Sequence, residues 1–254
     1  MDFHTADTIR WQIQPLKVSI FLGNTNNRNP QTIFFVKNRF FCVNLPLSKT
    51  SVMNGKKLTL LVILLLILDQ ALKIWVKTHM TLGEAIILIP DWFQLYFIEN
   101  KGAAFGMHIA TPGTMDWGKL LLGLFRIGMV VALIWLIRHF MRKKAPKGVL
   151  IGFGLILAGA IGNIIDSAFY GLIFSASTPD TVAHFGGHYA GFMMGKVVDM
   201  FYFPLFQWNS VPGFLDFLVD SRNYFFGAVF NLADAYISVA VVYLLIFHYK
   251  YFNK

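Results

Sequence analysis

The chain has 254 residues, of which 56% are hydrophobic and 14% charged, with a mean hydropathy of +0.57 and a formal net charge of +9. A soluble domain of this length carries more charge, so membrane residence is the first inference, and the single cysteine, Cys42, excludes an intramolecular disulfide. The positive charge fits nucleic acid, anionic lipid or the positive-inside bias of a membrane protein, and its placement along the chain decides among them.

Residues 1–52 stand apart from the rest. They are polar and basic in patches, with "GNTNNRNP" in their middle. They hold no run long enough to span a membrane, and residues 1–20 lack the apolar core of a cleavable signal peptide. Met53 then stands directly before "NGKKLTLLV", which reads as the ordinary start of a membrane protein. Two domains are expected: an N-terminal extension, 1–52, dispensable or the product of a misplaced start, and a membrane domain, 53–254. A cytoplasmic appendage is the alternative for the extension.

Four long apolar runs follow, Leu58–Val76, Leu120–Ile137, Val149–Ile165 and Val229–Phe247. Each has roughly the 17–20 residues that cross about 30 Å of hydrocarbon as a helix. In the first connection Phe93, Leu95 and Phe97 alternate with polar or amphipathic neighbours, which predicts a short extracytoplasmic strand. "FIENKGAAFGM" follows, where Gly102 and Gly106 permit a tight turn. The second connection, "RHFMRKKAPKG", holds Arg138, Arg142, Lys143, Lys144 and Lys147 and no acid. In the third run Gly154, Ala158 and Gly162 recur every four residues, a stripe that admits close helix approach or reflects a glycine-rich composition. "GNIIDS" is expected to close that helix at the outer surface. Beyond it, "HFGGH" places His184 and His188 four apart, but Gly186 and Gly187 oppose a helix that presents both to a metal. "GKVVDMFYFPLF" then sets Asp199 among apolar and aromatic residues, before the fourth run with Asn231 and Asp234.

Lys56 and Lys57 precede the first run, the all-basic connection joins the second to the third, and Lys250 and Lys254 follow the fourth. The positive-inside rule therefore puts both ends of the four-helix unit in the cytoplasm. Most of the excess charge is accounted for, and no nucleic-acid reading is needed. Asp69, Gln70 and Lys73 then fall in the outer third of the first helix, Asp166 at the outer end of the third, and Asn231 and Asp234 within about two turns of the outer end of the fourth. Four carboxylates from four segments converge on one leaflet.

Asp69 and Lys73 are spaced i,i+4 and can pair. Asn163 with Asp166, and Asn231 with Asp234, are spaced i,i+3, which sets each amide near its carboxylate. Polar glue between helices is the structural alternative, and for Asp69 and Lys73 it stands level with a functional role. For Asp199 and Asp234 the functional reading is favoured, because a carboxylate inside a membrane costs about 2.5–3.5 kcal/mol on insertion scales and marks a site by default. Two carboxylates in one low-dielectric site give one acid and one base, a pair able to activate water against an amide. A transporter or proton path would distribute polar residues through the membrane's depth, whereas the inner halves of all four runs are nearly devoid of carboxylates. A scaffold is the third option.

Five segments in order carry a resemblance: "LDQALKIWVK", "IENKGAAFGM", "GAIGNIIDS", "KVVDMFYFPLF" and "FNLADAYISV". Over about Met53–Tyr249 the chain resembles the type II lipoprotein signal peptidases of bacterial inner membranes. The resemblance implies an integral membrane, mainly α fold: four transmembrane helices, a small extracytoplasmic β-rich region and periplasm-facing loops. It implies an intramembrane aspartic endopeptidase that cuts prolipoproteins before their diacylglyceryl-modified cysteine, with Asp199 and Asp234 as the catalytic dyad. Asp69, Lys73, Asn100, Gly102, Asn163, Asp166 and Asn231 match positions that bind substrate or support the site. The implied partners are diacylglyceryl-modified prolipoproteins, membrane lipids and globomycin-type inhibitors that occupy the dyad. The implied enzyme is a monomer without metal or cofactor. Two departures stand out. Ser167 occupies a position where the family commonly has arginine, and the stretches Gly171–Gly195 and Gln207–Phe226 are longer than usual. The second stretch is apolar and aromatic enough to rest on the membrane surface.

Overall fold

The computed structural model describes residues 19–22, 32–36, 39–43, 53–100, 117–208, 211–212, 224 and 227–253. The chain divides into two compact units, Met1–Ser51 and Val52–Lys254. In the first, β1 (Ser19–Leu22), β2 (Thr32–Val36) and β3 (Arg39–Val43) form an antiparallel sheet in the order β1-β2-β3.

The second unit is built on helices. α1 (Gly55–His79) starts where the Asn54 side chain accepts a hydrogen bond from the Lys56 N–H, and it ends at extended Met80. It buries Leu58, Val62, Asp69, Lys73 and Val76, one stripe at helical spacing. Leu60, Ile63, Leu64, Ile67 and Leu68 remain exposed on its other side, as a lipid-facing surface requires. α2 (Trp117–Arg142) is apolar nearly all round. α3 (Lys147–Ile165) is central and packs against α1, α2 and the fourth helix. It does not close at "GNIIDS": a π-helical turn, Asp166–Tyr170, carries it on to Ile173 and buries Asp166, Ser167 and Tyr170. Such π segments recur at functional sites.

α1, α2 and the extended α3 are long and apolar enough to cross a membrane. The fourth apolar helix, α4 (Leu232–Phe247), has 16 residues and is followed by α5 (Tyr249–Phe252). It starts three residues later than the run Val229–Phe247 predicts. Phe230 is instead extended, exchanging backbone hydrogen bonds with Phe201 at 2.7 and 3.1 Å.

The stripe on α3 is a packing surface. A Cβ on Gly162 would lie 2.6 Å from Asp69 Oδ2 and 3.3 Å from the Ala233 Cβ, and one on Gly159 would overlap the Ala233 carbonyl. α1 and α4 therefore approach α3 as closely as backbone allows, at the level of the polar residues.

A second sheet caps one end of the bundle: β4 (Ala85–Ile89), β5 (Phe93–Asn100) and β6 (Val197–Tyr202), antiparallel in the order β4-β5-β6. β5 fulfils the alternation of the sequence, with Leu95 and Phe97 buried. Val76, Met80, Phe97, Tyr170, Phe174, Val198 and Met200 form the core that joins sheet and helices. At the other end, Leu58, Ile137, Ala145, Val149 and Leu150 pack together with Tyr251. Lys56, Lys57, the basic connection 138–147 and Lys250 therefore share the end away from the sheet.

Candidate active site

The site lies where α1, α3, α4 and β6 meet. Lys73 is fully buried, with its Nζ 3.1 Å from Asp69 Oδ2, 2.8 Å from Asp166 Oδ2 and 2.9 Å from Asn163 Oδ1. One ammonium thus sits between two buried carboxyl groups, and further donors hold the cluster. The Ala233 N–H donates to Asp69 at 3.0 Å, the Val198 N–H to Asp166 at 3.3 Å, and Gln70 Nε2 to both carboxylates at 3.1 and 2.9 Å. Gln70 Oε1 in turn accepts from the Tyr170 hydroxyl at 3.1 Å. Each donor comes from a different segment, so the cluster fixes α4 and β6 against α1 and α3. Buried charges of this kind persist only when so completely bonded.

Asn163 links that cluster to the second pair of carboxylates. Its Oδ1 accepts from Lys73 and, at 3.2 Å, from Asn231, while its Nδ2 donates to Asp234 Oδ1 at 2.8 Å. Only one orientation of the amide satisfies all three partners. The i,i+3 spacing set Asn163 beside Asp166, but the side chain serves Asp234, 71 residues away. Asn231 is the N-cap of α4, and Asp234 is its third residue. Asn231 Oδ1 accepts from the Asp234 N–H at 3.0 Å and the Asp234 side chain faces the Asn231 N–H, a capping box. The aspartate that reads as lying inside an apolar run is thus in the first helical turn. Beyond the cap, Asn231 Nδ2 donates to Asp199 Oδ1 at 2.6 Å. A single amide ties Asp199 to Asp234.

Asp199 sits in β6 opposite Ile98 and is 3% exposed, whereas Asp234 is half-buried. Burial foremost, and then the charge of Asp234, push the Asp199 carboxyl up to about 7, against the hydrogen bonds it receives from Asn231 and Asn100. One carboxyl of the pair is therefore readily protonated near neutral pH.

Asp69, Lys73, Asn100, Asn163, Asp166, Asn231, Asp199 and Asp234 are all brought together; Gly102 lies outside the described residues. Gln70, placed with Asp69 and Lys73 by its depth in the first helix, joins them, and Tyr170 and Arg126 do so without having been singled out. Arg126 Nη1 donates to Ser167 Oγ at 3.4 Å, and its charge acts on Asp234, Asp166 and Asp199. Its signal was available: it is the one charge in the run Leu120–Ile137.

A second ionic cluster lies under the sheet. Glu99 pairs with buried Lys77 and, at 2.8 Å, with Lys196, and accepts from Ser177 at 3.0 Å. Burial pushes the Glu99 carboxyl up, but the two lysines outweigh it and hold it below the usual range. Ser177 belongs to the long stretch Gly171–Gly195, which folds back so that the Gly195 N–H donates to the Ser167 carbonyl at 2.8 Å. Of the other long stretch, Gln207 and Tyr224 form a bridge, and most of the rest lies outside the described residues. Among the described residues no three His, Cys, Asp or Glu side chains are grouped to hold a metal ion.

A family profile described as Signal peptidase (SPase) II matches residues 61–250. A lipoprotein signal peptidase of Porphyromonas gingivalis strain ATCC 33277 is 44% identical over 196 residues, covering 76% of this chain and 83% of that protein. Another, from Amoebophilus asiaticus strain 5a2, is 33% identical over 192 residues, covering 72% and 74%. A solved structure of a bacterial membrane enzyme at 2.3 Å resolution is similar in fold, with a TM-score of 0.50 and 21% sequence identity over 76% of this chain and 87% of that one.

Proposed function

The chain belongs to the signal peptidase II family, and from that premise we propose that it removes signal peptides from prolipoproteins as an intramembrane aspartic endopeptidase, cutting before the diacylglyceryl-modified cysteine. One observation carries the chemical part of this reading. Asp199 and Asp234 share the Asn231 amide, and one of them is buried and readily protonated while the other is half-buried.

In this reading Asp234, ionised at the start of α4 where the helix N-terminus carries partial positive charge, takes a proton from the attacking water. Asp199 gives its proton to the scissile carbonyl oxygen as the water oxygen bonds to carbon, forming a gem-diol. Asp234 then passes its proton to the amide nitrogen, and the C–N bond breaks. Asp199 recovers a proton from the collapsing diol, which restores the pair. Asp69, Lys73, Asn163, Asp166, Asn231 and Asn100 hold the two carboxyls in place, and no metal or cofactor takes part. Gly102 follows Asn100 by two residues and is assigned to the same support.

The basic end of the bundle faces the cytoplasm of a bacterial inner membrane, α4 is the fourth span, and the site opens on the extracytoplasmic side. Sixteen helical residues cover about 24 Å, and the extended stretch before Asn231 together with α5 makes up the remainder. The enzyme works as a monomer among membrane lipids, globomycin-type inhibitors occupy the dyad, and residues 1–52 are dispensable to the peptidase domain 53–254. The test is cleavage by the purified protein. A diacylglyceryl-modified prolipoprotein should be cut at its cysteine and the unmodified precursor left whole. Equal cleavage of both would remove the lipid from the recognition.

A further inference from the structure

Arg126 lies within electrostatic reach of Asp234, Asp166 and Asp199, and among the described residues most of its donors are unused. It is the one charge in the apolar run Leu120–Ile137 of α2, and it is half-buried at the tenth residue of that helix. A cation at such a place faces protein and serves a site. Asp234, Asp166 and Asp199 all attract it, yet no carboxylate forms an ion pair with it among the described residues. Its hydrogen bond among those residues is the 3.4 Å contact with Ser167 Oγ. The Ser167 hydroxyl proton is itself committed to the Asn163 carbonyl at 3.1 Å, so the serine meets Arg126 with a lone pair. The tether therefore ends on Asn163, the residue that also holds Asp234. A guanidinium has five N–H donors in a planar fork, and four remain without a protein acceptor among the described residues.

We propose that Arg126 is a substrate-binding residue whose guanidinium donates to backbone carbonyl oxygens of the peptide next to the scissile bond. Among the described residues the nearby carboxylates are engaged by Lys73, Asn163 and Asn231, so the partner assigned to the guanidinium is a neutral acceptor that the substrate brings. An extended peptide laid across the pair brings such oxygens, and Ser167 holds the fork where they arrive. The inference rests on the reading of Asp199 and Asp234 as the reacting pair.

The experiment measures binding apart from cleavage. Affinity for a diacylglyceryl lipopeptide is compared between full-length Asp199→Asn and the same protein also carrying Arg126→Gln or Arg126→Lys. Loss of a charge-assisted hydrogen bond predicts roughly 10- to 100-fold weaker binding for the glutamine variant. Lysine should recover only part, because it keeps the charge and loses the fork. In the otherwise unaltered enzyme Arg126→Gln should raise KM more than it lowers kcat. Its Tm should not fall, because the substitution relieves a charge in an apolar helix. Unchanged affinity and KM, or a lowered Tm with unchanged affinity, would overturn the assignment and leave Arg126 a brace. A penalty that vanishes when the lipid esters are replaced by ethers would move the contact to the lipid and equally reject the peptide. Cleavage by Asp199→Asn would count against the reacting pair alone, since the KM comparison still reads Arg126.

Discussion

Asn231 does three things with one side chain, and each depends on the others. It caps α4, it orients Asp234 through the backbone, and it donates to Asp199. Replacing it would therefore mix folding with chemistry, and Asn100 is the cleaner probe of the Asp199 proton. Asn100 sits at the end of β5, and its side chain donates to Asp199. That bond favours the ionised carboxylate. The proposed cycle needs Asp199 protonated, and burial together with Asp234 sets that proton's release at about 7. Activity is expected to fall as pH rises through about 7. Asn100→Ala removes a contact that stabilises the anion, so the alkaline limb should move to higher pH while Tm changes little. A pH profile of cleavage by the two purified proteins checks this, and a limb that stays put or moves down would remove Asn100 from the control of that proton.

At the scale of elements, the close approach of α1, α3 and α4 sets the distances of the site. A methyl on Gly162 would press on Asp69 Oδ2 and the Ala233 Cβ, and overpacking of this kind costs about 1–3 kcal/mol. Gly162→Ala should lower Tm and, by displacing Asp69 and its bond to Ala233, reduce cleavage. Gly128→Ala on α2 meets nothing within 4 Å and should change neither, as paired melting and cleavage measurements would register. Much of this level was legible. Long apolar runs announced α1, α2 and α3, and the alternation of Phe93, Leu95 and Phe97 announced β5. β6 gave no such sign, because Val197, Val198, Asp199 and Met200 are all buried, and a strand covered on both faces has no period to read. The start of α4 was misplaced for a related reason. Val229 and Phe230 are as apolar as the helix, yet Phe230 pairs with Phe201 in extended form. Hydropathy reports burial and is blind to backbone direction. The partner of Asn163 was hidden as well, since local spacing cannot see a contact 71 residues away.

On the scale of the whole molecule, the acid-free basic segments and the chemistry lie at opposite ends. Lysines and arginines gather where α1 begins and α2 and α4 end, while the carboxylates sit near the sheet. With the basic end inside, single cysteines placed in the stretch Gly171–Gly195 should react with an impermeant thiol reagent from outside intact cells. One at Lys143 should react only after lysis, and the reverse pattern would invert the topology. Met1–Ser51 forms a compact unit of its own, and the family profile begins at residue 61. A protein starting at Met53 is therefore expected to insert and cleave as the full chain does, which a direct comparison of specific activities would establish. The central claim is that two carboxyls, Asp199 and Asp234, perform the cut. The most direct measurement is turnover of a diacylglyceryl-modified prolipoprotein by purified, folded Asp199→Asn and Asp234→Asn proteins. Each substitution keeps the shape and removes the titrating group. The account predicts loss of detectable cleavage in both with Tm retained, and near-normal turnover by either would contradict it.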